Sequence, residues 1–215
     1  DYQLGDYRAT IDRLRPAAGE DDAFNILIGF AFNNLTPPMS GLALAHMNRV
    51  RDPEALDPDA RFTFLSNRAY LHYDQNMDAE AIADAEAALA VKQRDEIELV
   101  RLRSMLRAGQ FEAVLAAGCE LIERMDSAAA PAAVEPEAPD ERVFLGQVHE
   151  TMGIAAYRLE KWDQAVAHLT QALEQDEDLL QSRYMRGLAH FRSDRLDEAR
   201  EDLLPLSEHA EDFPA

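Results

Sequence analysis

Six histidines, one cysteine and two lysines are the side chains of this 215-residue chain best suited to proton transfer, metal ligation or nucleophilic attack. Their spacing does not assemble a site. His149 is followed by Glu150, but a zinc-binding helical HExxH pair needs a second histidine four residues after the first, and Gly153 stands there. No GxxxxGK phosphate loop occurs, and Lys92 and Lys161 are the only lysines that could serve one. There is no GxSxG nucleophile elbow. Asp176-Glu177-Asp178 reads as a solvated loop, because a cation site needs several converging oxygens. Cys119, the only cysteine, can form no internal disulfide; within the apolar run AVLAAGCELI it is expected to be a small core residue. The chain is therefore expected to carry no catalytic residues, no cofactor and no metal.

The elements that carry these side chains repeat. Gly153 is followed at offsets of 9, 12, 16 and 19 by Trp162, Ala165, Leu169 and Ala172. Gly187 is followed at the same offsets by Leu196, Ala199, Leu203 and Leu206. The two glycines recur at the period, about 34 residues, that marks a helix–turn–helix repeat. Both fall in helical runs, where glycine costs about 1 kcal/mol against alanine. Their recurrence implies a neighbouring helix passing too close for a side chain, with Ala165 and Ala199 expected as its small residues. His72 and His190 share one repeat position, which points to a structural role for both.

The remaining chain follows the pattern less strictly. LGDYRATIDRLRPAA gives a half repeat over residues 1–17, with a helix expected from about Asp6 to Arg15. A unit over 22–51 has Gly29, then Gly41, Ala45 and Asn48, across a turn LTPPMS whose prolines end one helix and open the next. RDPEALDPDA adds length, so the step from Gly29 to Ala69 exceeds the repeat period. A unit over 62–94 has Ala69, Ala81, Ala85 and Ala88; one over 95–126 has Leu102, Val114, Gly118 and Leu121. Residues 127–141, with Pro131, Pro136 and Pro139 among acidic and alanine residues, are expected to be a linker or loop. The two clear repeats then occupy 146–179 and 180–213 of a 142–215 segment, with an early end or kink expected at Pro205.

The pattern, most typical in GIAAYRLEKWDQAVAHLTQAL, resembles the tetratricopeptide repeat. That resemblance implies an all-α, right-handed α-solenoid: five helical hairpins after the half repeat. It also implies that one face of each first helix lines a concave groove. The matching positions include Tyr70 and Tyr73, Arg103 and Arg107, Tyr157 and Arg158, and Tyr184, Phe191 and Arg192. Tyrosine and arginine are enriched at binding hot spots, and arginine pairs with carboxylates in a bidentate fork. The co-chaperone subset of this family, which grips an acidic C-terminus with lysines and asparagines, is not expected: neither lysine falls on the groove face, and Asn33 and Asn67 lack basic partners.

The charge narrows the partner. With 41 acidic and 21 basic residues the formal net charge is −20, which repels nucleic acid and anionic membranes. Lys92 and Lys161 are the only lysines among many arginines, as a high-GC genome or a salty habitat would produce. No apolar run reaches transmembrane length, so a soluble protein is expected, in the cytoplasm ahead of the periplasm. The expected function is a non-enzymatic scaffold whose partner is a protein or peptide, with acidic or carboxylate groups meeting the groove arginines. The alternatives are an accessory or assembly subunit contacting a larger complex through outer surfaces, marked by exposed apolar residues on second helices, and the regulatory repeat region of a longer enzyme.

Overall fold

The computed structural model describes residues 6–19, 21–128 and 139–206. Among these the elements are α1 (Tyr7–Ala18), α2 (Asp22–Asn33), α3 (Ser40–Met47), a 3-10 turn (Pro53–Ala55), α4 (Pro58–Asp74), α5 (Asp78–Val91), α6 (Asp95–Arg107), α7 (Phe111–Ala128), α8 (Pro139–Arg158), α9 (Trp162–Gln175), α10 (Leu180–Arg192) and α11 (Leu196–Leu203). No strand occurs among the described residues. Most of the expected linker, residues 129–138, lies outside them, as do residues 1–5 of the expected half repeat.

Two compact units divide the chain, Asp1–Ser104 and Met105–Ala215. In the first, α1, α2 and α4 begin where aspartates offer side-chain oxygens to otherwise unpaired amides. Asp6 accepts from Ala9, Asp21 from Phe24 and Asp57 from Ala60, each at 3.0 Å. Its core gathers the inward residues of α2 to α5, with Ile28, Met47, Phe64 and Leu71 fully buried. In the second unit Val114, Leu121, Val148, Met152 and Leu169 are fully buried. There α8 packs along α9, and α10 along both α9 and α11. The chain leaves helix before Pro205, as the sequence implied: α11 ends at Leu203.

A three-residue turn joins α4 to α5, α6 to α7, α8 to α9 and α10 to α11, and its middle residue has positive φ each time: Asn76 (57°), Gly109 (76°), Glu160 (58°) and Asp194 (61°). The residue after it donates back five positions, from Met77 to His72, Gln110 to Met105, Lys161 to Ala156 and Arg195 to His190, at 2.9–3.0 Å. This is the Schellman arrangement, and it consumes carbonyls that the helix end leaves unpaired. At Gly109 a new Cβ would meet nothing nearer than Phe111, at 4.0 Å. Gly109→Ala therefore tests backbone strain alone and should cost about 1–2 kcal/mol. Gly41, in helical backbone with open space around it, should respond oppositely, Gly41→Ala gaining about 0.5 kcal/mol. Urea midpoints of the two variants check both signs; equal shifts would refute the assignment of strain.

Four expectations change. α1 runs on to Ala18 with Pro16 inside it, three residues past the expected end. In α3 the residues expected to pack inward, Gly41, Ala45 and Asn48, are exposed, whereas Ala43, Leu44, His46 and Met47 are buried. The six-residue turn between α2 and α3 is the cause; its extra length rotates the following helix relative to the repeat pattern. Cys119 is exposed rather than in the core. The buried stripe of α7 is Val114, Leu115, Gly118 and Leu121, and Cys119 falls off its edge. Finally, the close neighbour of Gly153 is Leu169, one turn beyond Ala165, and Gly187 likewise faces Leu203 and Asp202 rather than Ala199.

Candidate functional site

The face of each first helix is settled by what its opposite side does. Ala69, Ala156, Gly187 and Ala189 point inward, so residues one, four and five positions away from the small residue are free to reach outward to differing degrees. In the first unit Tyr70 is 40% exposed, and its hydroxyl donates to the Glu96 carbonyl at 3.5 Å. Burial and the Glu96 charge push its pKa up, against the opposing effect of Arg103, so the hydroxyl stays a donor near neutrality. Tyr73 is half-buried and packs against the core of this unit; Arg103 is half-buried.

The second unit brings several expected residues together. Tyr157, Arg158 and Arg192 line one open hollow of about 440 Å³ with Glu160 and Trp162. Tyr157 meets Trp162 edge-on, with ring centroids 5.1 Å apart and an interplanar angle of 63°. α8 supplies Tyr157 and Arg158 from its last turn, the Schellman turn supplies Glu160, and Trp162 opens α9. A second hollow of about 430 Å³ shares Glu160 and Trp162 and adds Lys161, Asp163, Gln164 and Ser193. Arg107 is exposed, Tyr184 half-buried and Phe191 56% exposed; none of the three lines either hollow.

Most other arginines with recorded partners are committed internally. Arg68 grips Asp84 with Nε and Nη2 at 2.8 and 2.6 Å, and Arg186 grips Asp202 at the same two distances. Arg101 meets Glu98 at 2.9 Å, Arg195 meets Asp163 at 2.9 Å, and Arg61 meets Glu54. Arg158 and Arg192 differ. Both are exposed, and neither reaches a carboxylate at ion-pair distance among the described residues. Two unconsumed guanidinium groups beside an aromatic pair can take an anion and an apolar neighbour together.

Trp162 and Glu160 were missed as site residues. Trp162 was visible as the aromatic nine residues after Gly153, but the pattern assigns it to the turn rather than to a first-helix face. Glu160 is placed by its left-handed backbone, φ 58°, which no side-chain periodicity reveals. No group of three or more metal-ligating side chains occurs among the described residues, and none of their helices is long and apolar enough to cross a membrane.

No protein-family model matches the chain, and no curated protein matches it in sequence. Solved structures do. BtubC from P. vanneervenii superposes with a TM-score of 0.66 at 15% identity, over 100% of this chain and 92% of its own. YrrB, described as a TPR protein with an unusual peptide-binding site, gives 0.62 at 16%, over 97% and 98%. MamA from Desulfovibrio magneticus RS-1 gives 0.63 at 12%, over 84% and 90%. The helical hairpins, their three-residue turns and these superpositions agree: the chain has the all-α fold of the tetratricopeptide repeat proteins.

Proposed function

We propose that the chain is a non-enzymatic protein-interaction scaffold that holds a segment of a partner protein against its first-helix faces. The observation that carries this reading is the pair Arg158 and Arg192, unpaired among the described residues of a chain of formal charge −20 and lining an aromatic-walled hollow. Cations left without internal partners in so acidic a chain are suited to acidic side chains or a terminal carboxylate. Tyr184, Phe191 and Arg107 in the same unit extend the proposed contacts; Tyr70, Tyr73 and Arg103 are a separate candidate face of the first unit. YrrB, with its peptide-binding site, offers a precedent for peptide binding on this fold.

The test is an array of acid-rich peptides with free or amidated C-termini, probed with the parent chain and Arg158→Ala/Arg192→Ala. Both arginines are solvent-exposed, so the expected loss is about tenfold in affinity with a strong salt dependence, below the roughly 2–5 kcal/mol of a fully buried charged contact. Undiminished binding by the folded double variant would reject the arginine hollow. A second reading has its own support. Leu42, Leu196 and Leu204, on or just past second helices, are 48%, 56% and 60% exposed, as an accessory subunit docking through outer surfaces would require. Leu196→Glu/Leu204→Glu should abolish such docking while sparing peptide capture, and pull-downs with that variant discriminate the two.

A further inference from the structure

The hairpins share a polar tie whose chemistry changes along the chain. Asp84 and Asp202 lie at one and the same offset after Ala69 and Gly187, and each receives an arginine from the opposite helix. His168 occupies that offset from Gly153 in α8–α9, but Met152 stands where the arginine would be. His168 meets instead His149, four residues before Gly153 on α8, with the two Nδ1 atoms 3.2 Å apart and ring centroids 5.5 Å apart. The α2–α3 hairpin, its register moved by the longer turn, has the neutral version: His46 Nδ1 lies 3.0 Å from the Asn25 Oδ1.

The three ties respond differently to acid. A protonated His46 still donates to the Asn25 oxygen, so that tie survives. A carboxylate–arginine tie holds until the carboxylate is protonated. In the histidine pair one Nδ1 must donate and the other accept. A first proton can enter at the outer nitrogen of the donor ring and leave the bond intact. A second must go to the accepting Nδ1, which then presents a donor to a donor and a cation to a cation. From α7 the charge acting on His149 is Asp126, and from α9 it is Glu174, both favouring its proton. α10 aims Ser182 at Glu150 and Arg186 at Asp202 and Thr170. His149 itself is the charge that acts against a proton on His168.

We propose that the His149–His168 contact is an acid-opened clasp, through which a fall in pH below neutrality loosens the α8–α9 hairpin and disassembles the hollow walled by Tyr157 and Trp162. Burial lowers the pKa of both rings, and burial together with the His149 charge carries His168 down to about 4. A histidine whose folded pKa lies below its unfolded value takes up protons on opening. The clasp is therefore intact above the unfolded value, near 6.5, and is lost progressively as pH falls toward about 4. Tyr157 lies eight residues along α8 from His149, roughly 12 Å, and Trp162 six residues before His168 on α9. Both hollow-forming aromatics thus ride on the helices that the pair holds together. Acid release of a partner rests on the scaffold reading; the opening itself does not.

Trp162 is the only tryptophan, so its emission reports this hairpin directly in the whole chain without any partner. As pH falls from about 7 toward about 4 its emission should shift progressively to the red. Hydrogen exchange of α8 and α9, corrected for intrinsic rates, should rise about tenfold per pH unit for each proton taken up, ahead of α4–α5. His149→Gln/His168→Gln should flatten both responses, and His46→Gln and His190→Gln should leave them unchanged. A double variant that still responds overturns the proposal. So does equal loss of protection in α4–α5 of the parent, a result that stands even if the double variant fails to fold. Acid opening without peptide capture would reject the scaffold and keep the clasp; capture without opening would do the reverse.

Discussion

Replacing Asp84 by alanine should lower the stability of the first unit by about 3–5 kcal/mol, the cost of stranding a buried charge. Asp84 is 6% exposed and stands between α4 and α5. Arg68 reaches it with two nitrogens at 2.8 and 2.6 Å, and His72 Nδ1 lies 2.9 Å from Oδ2 of the same carboxylate. The Arg68 guanidinium also lies over the Phe64 ring, 4.7 Å from its centroid, so turning outward to water would forfeit that contact. Burial alone would raise the Asp84 pKa; the hydrogen bonds from His72 and Arg68 outweigh it and hold the carboxyl below its ordinary value. A depressed carboxyl pKa stabilises the fold above the unfolded value near 3.8 and loses that contribution as pH falls through the folded one. Asp84→Ala should therefore be most harmful near neutrality and progressively less so in strong acid. Adding Arg68→Met should recover much of the loss, since a well-packed apolar pair often equals a buried ion pair. Urea unfolding of the single and double variants at both pH extremes is the measurement. A loss under about 1 kcal/mol near neutrality would mean that α4 and α5 do not depend on this tie.

How much of this was legible beforehand depends on what kind of signal each feature leaves. The hairpins left a strong one: Gly153 and Gly187 sit one repeat apart and both face a leucine across the hairpin. Their partner was misread because periodicity gives the face of a helix more readily than the rise at which two helices touch, and Leu169 lies one turn beyond Ala165. The α3 register was lost because turn length is a backbone property; two prolines announce a break without saying how many residues it takes. Cys119 was misplaced because Ala113, Val114, Leu115, Ala116 and Ala117 are apolar all round, leaving no polar face to orient α7. The arginine ties were within reach. Arg68 to Asp84 and Arg186 to Asp202 span the same sequence separation, with His72 and His190 four residues after the arginines. Opposite charges at one repeat position on facing helices are a contact signal. In a chain with 41 acidic residues that signal drowns unless the repeats are first aligned. Repeat offsets put Arg158 and Arg192 on first helices, but that both line one hollow and lack carboxylate partners among the described residues is a fact of three dimensions.

Gly153→Leu should cost at least about 1–3 kcal/mol, the range for overpacking a filled core. A Cβ at Gly153 would stand 2.6 Å from Leu169 Cγ, 2.8 Å from its Cδ2 and 3.3 Å from its backbone nitrogen. Leu169 is fully buried in a close-packed interior, and its backbone nitrogen belongs to α9, so the two helices must part. Gly187→Leu meets Leu203 Cγ and Cδ2 at 2.7 Å, but that side chain is only half-buried and can swing aside. What cannot yield there is Asp202, whose Cβ would be 3.1 Å away and whose carboxylate is held by Arg186. The two variants should therefore be comparably destabilised for different reasons, and they are separated by their suppressors. Leu169→Ala should restore much of what Gly153→Leu loses, because the added side chain then fills the space vacated across the hairpin. Leu203→Ala should help Gly187→Leu much less, because the Asp202 clash remains. Thermal unfolding of the four variants decides it. Parent-like melting of Gly153→Leu, or no rescue by Leu169→Ala, would show that the glycine is not what lets α8 and α9 approach.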